Sequence, residues 1–151
     1  MDFLAVRPGP KGAIERRQVE VQCSYRPVSY ISPVPKAVRA ATGRGSNNAR
    51  KRDEKEVRQG VKEWVEKKYA HPQKEAIRQK LCPGKWTREL VVHVVRHPIE
   101  LQLFGENGVL VHQLADVVAQ MMKGARALDG AAGSSLFDLV ALTTGLRKAG
   151  A

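Results

Sequence analysis

The clearest pattern along the chain is helical. In residues 53–70, DEKEVRQGVKEWVEKKYA, Val57, Val61, Trp64 and Val65 recur at i, i+4, i+7 and i+8, and Lys68 and Tyr69 continue the stripe. Asp53 and Glu54 stand at the positive end of the helix dipole, and Lys67 and Lys68 at the negative end. Glu63 and Lys67 form an i, i+4 pair. His71-Pro72 ends this helix. A second helix is predicted over 72–81, with Pro72 in its first turn, Lys74, Arg78 and Lys80 on its exposed faces, and a stop at Cys82-Pro83-Gly84.

The back of the chain carries two more helical stripes. Over 109–128, Leu110, Leu114, Val117, Val118, Met121, Ala125 and Leu128 fall on one face. The run DGAAG breaks the pattern. Ser134 or Ser135 then caps a last helix, with Asp138 three residues after Ser135 and a stripe of Leu136, Leu139, Val140, Thr143 and Leu146. Residues 86–104, WTRELVVHVVRHPIELQLF, fit two patterns. Their composition suits strands. Their spacing suits a helix capped by Thr87, with Leu90, Val91, Val94 and Val95 on one side, and a second begun by Pro98. Helix is preferred here, because both neighbours are helical and a lone hairpin is marginal.

The front reads differently. Pro8, Pro10, Pro27, Pro33 and Pro35 interrupt residues 1–52. Only 18–25, QVEVQCSY, alternates like a short strand. Residues 34–52 are rich in Gly, Ser and Asn and carry Lys36, Arg39, Arg44, Arg50, Lys51 and Arg52 with no acid. Such a segment has too little apolar area to offset an ordering cost of ~1–2 kcal/mol per residue. The expected fold is therefore all-α: an extended basic arm over 1–52, then a small helical bundle over 53–151.

Charge sharpens this division. The chain has 151 residues, 26 Lys+Arg against 15 Asp+Glu, a formal charge of +11 and a pI near 10.1. Residues 1–52 carry a net +8, residues 53–85 a net +3, and residues 86–151 a net of zero. One end is suited to a polyanion and the other to protein. The candidate phosphate contacts are Lys36, Arg39, Arg44, Arg50, Lys51, Arg52, Arg58 and Lys62. Aromatic residues make up 5 %, so backbone contact to a duplex or folded RNA is expected over base stacking by Trp64 or Trp86.

The remaining chemistry is sparse. Two cysteines, Cys23 and Cys82, exclude a disulfide-rich scaffold and a four-cysteine zinc site. No run of 18 apolar residues exists, and the first twelve residues do not read as a signal peptide or an acylation signal. His93 and His97 would share a helix face, but no third ligand completes a metal site. His112 and Asp116 are also four apart, with no Ser or Cys nucleophile in a recognisable context. Gly105 and Gly108 lack the further features of a phosphate loop. Met121-Met122 reads as core filler. The expectation is no catalysis, no metal, no cofactor and no small-molecule substrate.

In layout the chain resembles the major coat proteins of filamentous and rod-shaped archaeal viruses. The likeness rests on a basic front, amphipathic helices and a neutral helical back, with GVLVHQLADVVAQMMKGARAL at 108–128 as its nearest local feature. The proline-rich first 35 residues depart from that pattern. The resemblance implies a helical bundle whose arm wraps double-stranded DNA, with paired coat proteins enclosing the duplex in a virion. Arg39, Arg44, Arg50, Lys51, Arg52 and Arg58 would then face phosphates. The expected function is a structural, DNA-binding capsid or nucleocapsid protein in a helical assembly, its partners being nucleic acid (double-stranded DNA favoured, RNA possible) and copies of itself or of a paralogous subunit. Two other classes fit the charge gradient: a small ribosomal or organelle-ribosome subunit, and an accessory subunit of a membrane respiratory assembly in the mitochondrion.

Overall fold

The computed structural model describes residues 2–24 and 27–127. The elements in chain order are β1 (Asp2–Pro8), β2 (Ile14–Gln22), α1 (Lys36–Thr42), α2 (Glu54–Tyr69), α3 (Pro72–Leu81), β3 (Thr87–Val92), α4 (Ile99–Glu106), β4 (Val109–Gln113) and α5 (Leu114–Ala127). The four strands form one sheet in the order β1-β2-β3-β4. β1 and β2 are an antiparallel hairpin, in register from Asp2↔Glu20 to Pro8↔Ile14. β2 and β3 run parallel, from Arg17↔Thr87 to Gln22↔Val92. A parallel pair needs a long crossover, and α1, α2 and α3 supply it. The chain divides into two compact units, Met1–His112 and Gln113–Ala151. Of the second, α5 is described.

The expectation of an all-α fold is therefore wrong, and in three places. Residues 87–92 are a strand. The preference for helix rested on the weakness of a lone hairpin, but β3 pairs with β2, far away in sequence, and Glu89, Leu90, Val91 and Val92 are all buried. That fits a strand covered on both faces. Residues 109–113 are a strand too, and the helix begins only at Leu114. The front is no extended arm: it supplies β1, β2 and α1. Pro8 and Pro10 fall at the end of β1 and in the tight turn Pro10–Gly12, where a missing N–H breaks no ladder. The last predicted helix and Leu128 lie outside the described residues.

The helices α2 and α3 occur where the pattern placed them. Asp53 caps α2 by accepting a hydrogen bond from the Glu56 amide at 2.7 Å. The stripe Val57, Val61, Trp64, Val65 and Tyr69 is buried against Leu90 and Val92 of β3, Leu103 and Phe104 of α4, and Val109 of β4. Trp64 meets Phe104 and Tyr69 edge-on, with centroids 5.1 and 5.8 Å apart. Arg78, expected on an exposed face of α3, is instead buried.

Gly60 lets the front of the chain lie against α2. A Cβ there would stand 2.6 Å from the Pro33 carbonyl oxygen, a backbone atom with little room to move. Gly60→Ala should destabilise the protein by about 1–3 kcal/mol in urea unfolding. Gly105→Ala, in α4 with nothing near its Cβ, should be neutral or stabilise by up to about 1 kcal/mol.

Candidate nucleic-acid interface

The eight basic residues expected to contact phosphate do not form one surface. Three are already committed to protein. Arg52 is 6 % exposed. Its guanidinium donates to the Ser32 and Asn48 carbonyls at 2.9 and 3.1 Å and lies 4.2 Å over the Tyr30 ring. Burial pushes its pKa down, against the pull of Glu100 and Glu56. Arg44 is paired with Glu56 at 2.9 Å, both side chains largely covered. Arg58 bridges Glu54 at 2.9 Å and Glu106 at 2.6 Å, and those carboxylates raise its pKa. Arg50, Lys51 and Lys62 are exposed.

Lys36 and Arg39 have different company. α1 places them on a cleft of about 950 Å³ whose other wall is the C-terminal end of α2. Lys67, Lys68 and His71 line that wall, with Glu63 and Glu66 at the cleft as well. The Glu63 carboxylate is partly engaged, accepting from the Lys36 amide at 3.0 Å and the Gln59 side chain at 3.1 Å. Arg39 Nε donates to the Val34 carbonyl at 3.1 Å, which fixes the side chain at the cleft. From sequence, Lys67 and Lys68 were read as complements of the helix dipole, Lys67 also as the i, i+4 partner of Glu63 and Lys68 as part of the stripe. Their role as cleft wall was invisible there, because α1 faces them only through a turn of chain that carries no apolar pattern.

Lys68 joins this cleft to the sheet. Its Nζ lies 2.5 Å from Glu20 Oε1, and Glu20 is 1 % exposed. Gln22 Nε2 donates to the same Glu20 oxygen at 2.7 Å, and Gln18 Nε2 donates to the Lys68 carbonyl at 3.1 Å. Glu20 sits near the carboxyl end of β2, and its register partner across the hairpin is Asp2. Sequence reading passed over Glu20 as the polar side of an alternating strand.

A second charged cluster ties three strands together. Glu89 of β3 receives both arms of the Arg17 guanidinium at 2.5 Å, and His112 Nε2 of β4 lies 2.9 Å away. Burial raises the Glu89 carboxyl, but Arg17 and His112 outweigh it and hold it below its usual range.

The histidine pairs do not meet on helix faces. His93 follows β3 and has Nδ1 3.0 Å from the Ser24 carbonyl oxygen, while His97 stacks on Tyr30 at 4.4 Å. His112 and Asp116 belong to β4 and α5. Among the described residues, no three or more His, Cys, Asp or Glu side chains are placed to hold a metal ion, and no helix is long and apolar enough to cross a membrane. No protein-family model, curated protein or solved structure matches the chain.

Proposed function

We propose that this protein binds nucleic acid, with the phosphate backbone seated in the cleft between α1 and the end of α2, and that it serves as a structural packaging protein. The observation that carries the reading is the convergence of Lys36, Arg39 and Lys67 on one cleft in a chain of net charge +11. Lysines and arginines that neutralise phosphates release the cations condensed on the nucleic acid, which gives salt-dependent, sequence-independent affinity. The neutral half, residues 86–151, is the part suited to contacts with other copies. Sedimentation of the protein with duplex DNA tests the packaging role. Particles of many copies per duplex are expected, and a single copy that never grows would remove it.

A further inference from the structure

A separate cleft of about 640 Å³ opens between α3 and β3, and it takes no part in the reading above. Arg78 of α3, Lys85 and Trp86 of the following loop, and Arg88 of β3 line it; Glu75 is the one acidic residue among its described lining. The loop is fixed before any ligand arrives. The Gln79 side-chain amide pairs with the Gly84 backbone in both directions, each bond 2.9 Å. Gly84 has φ +130°, a backbone conformation that L side chains rarely adopt, so glycine suits the position. Trp86 Nε1 donates to the Cys82 carbonyl at 3.2 Å, which fixes the plane of the indole at the cleft.

Arg78 supplies the observation that points to a ligand. It is 3 % exposed. Its Nη2 donates to the Tyr69 carbonyl at 2.5 Å and to the Glu75 carboxylate. Its Nε is buried with no hydrogen-bond partner. A buried guanidinium N–H left unmatched carries a cost that an anion would remove. Lys85 and Arg88 add charge at the same cleft, so three cations stand against one carboxylate. The half-buried indole of Trp86 and the exposed Leu110 add an apolar surface.

We propose that this cleft is a nucleoside-phosphate site. The phosphate engages Arg78, Lys85 and Arg88, and the base lies against Trp86. Its volume is in the range of small-ligand sites, roughly 300–1,000 Å³. Arginine forks match phosphate oxygens two at a time, and every base offers a face for stacking. The same chemistry is presented by a free nucleotide and by the phosphorylated end of a strand.

The test is calorimetric titration with adenosine monophosphate, followed in parallel by tryptophan fluorescence. Wild-type protein should bind it. Lys85→Gln/Arg88→Gln, two side chains with no hydrogen bond or ion pair among the described residues, should weaken binding at least tenfold with an unchanged melting temperature. Trp86→Leu should weaken it and abolish the fluorescence change. Lys36→Met/Lys67→Met should bind the nucleotide as wild type does, whatever becomes of duplex binding. Matched single-stranded oligonucleotides with a 5′-phosphate or a 5′-hydroxyl identify the source. Preference for the phosphorylated strand over the free nucleotide assigns a strand end, and the reverse assigns the free nucleotide. No binding of either at millimolar concentration, or equal binding by the Lys85/Arg88 variant, overturns the proposal.

Discussion

Glu100→Ala should cost about 3–5 kcal/mol of stability, the scale of removing one partner from a buried charged network. That is a large part of a typical total of about 5–15 kcal/mol. Glu100 opens α4 and is fully buried. Its carboxylate accepts from the Ile31 amide at 2.7 Å, the Ser32 amide at 2.7 Å and the Ser32 hydroxyl at 2.5 Å. Arg52 closes the other side of Ser32 by donating to its carbonyl, while the Arg52 amide donates to the Tyr30 hydroxyl at 3.0 Å. Tyr30 is held between the Arg52 guanidinium and the His97 ring. This polar clasp holds the front segment to α4. Alanine would leave the two buried donors of Ser32 and the part-buried Ile31 amide without an acceptor, and Arg52 without the Glu100 carboxylate. Urea unfolding should show the loss, and protease cleavage within 27–52 should accelerate.

The pH dependence of the same group has a definite sign. Burial raises the Glu100 carboxyl, and the hydrogen bonds from Ser32 and Ile31 and the charge of Arg52 oppose it without prevailing. A carboxyl with a raised folded pKa holds its proton more tightly in the folded state. Its contribution is complete below the unfolded value and is lost as pH rises through the raised one. Glu100→Gln should flatten that part of the stability profile. It should also cost less than Glu100→Ala, since the amide keeps one acceptor oxygen.

Lys36→Met/Lys67→Met should lower duplex affinity roughly tenfold at low salt and reduce the slope of log K against log salt by about 2, near 1 per lost phosphate contact. Both side chains are exposed, so the melting temperature should hold. The matching pair Arg44→Met/Arg52→Met makes the contrast. These two count fully toward the net charge but are spent on Glu56, Ser32, Asn48 and Tyr30. Their loss should unfold the front of the chain at lower temperature. An equal drop in slope with no loss of stability would show that they, and not the cleft lysines, meet phosphate.

The comparison of sequence with structure turns on distance along the chain. α2 was legible to within a residue, because its cap at Asp53 and its stripe from Val57 to Tyr69 are local. β3 was not. The composition of Leu90, Val91 and Val92 suited a strand, but what settles it is β2 pairing with them in parallel, and no local periodicity reports a partner so far away. The front failed for a second reason. Counting apolar residues misses order held by polar groups, and residues 30–52 are clasped by Glu100, Arg52 and Tyr30 rather than by a greasy stripe. The charge tally failed in the same way: +8 over residues 1–52 is correct, but Arg44 and Arg52 are neutralised or buried by groups that only the fold brings near. Glu20 and Lys68 were both visible as letters, and nothing in their spacing joins them.

The most direct test of the central claim is amide chemical-shift mapping of the protein during titration with duplex DNA at low salt. Shifts should concentrate on residues 34–39 and 66–72, the two walls of the cleft, and should fade as salt is raised. Saturable binding that leaves both walls unshifted, or an absence of binding at low salt, would contradict it.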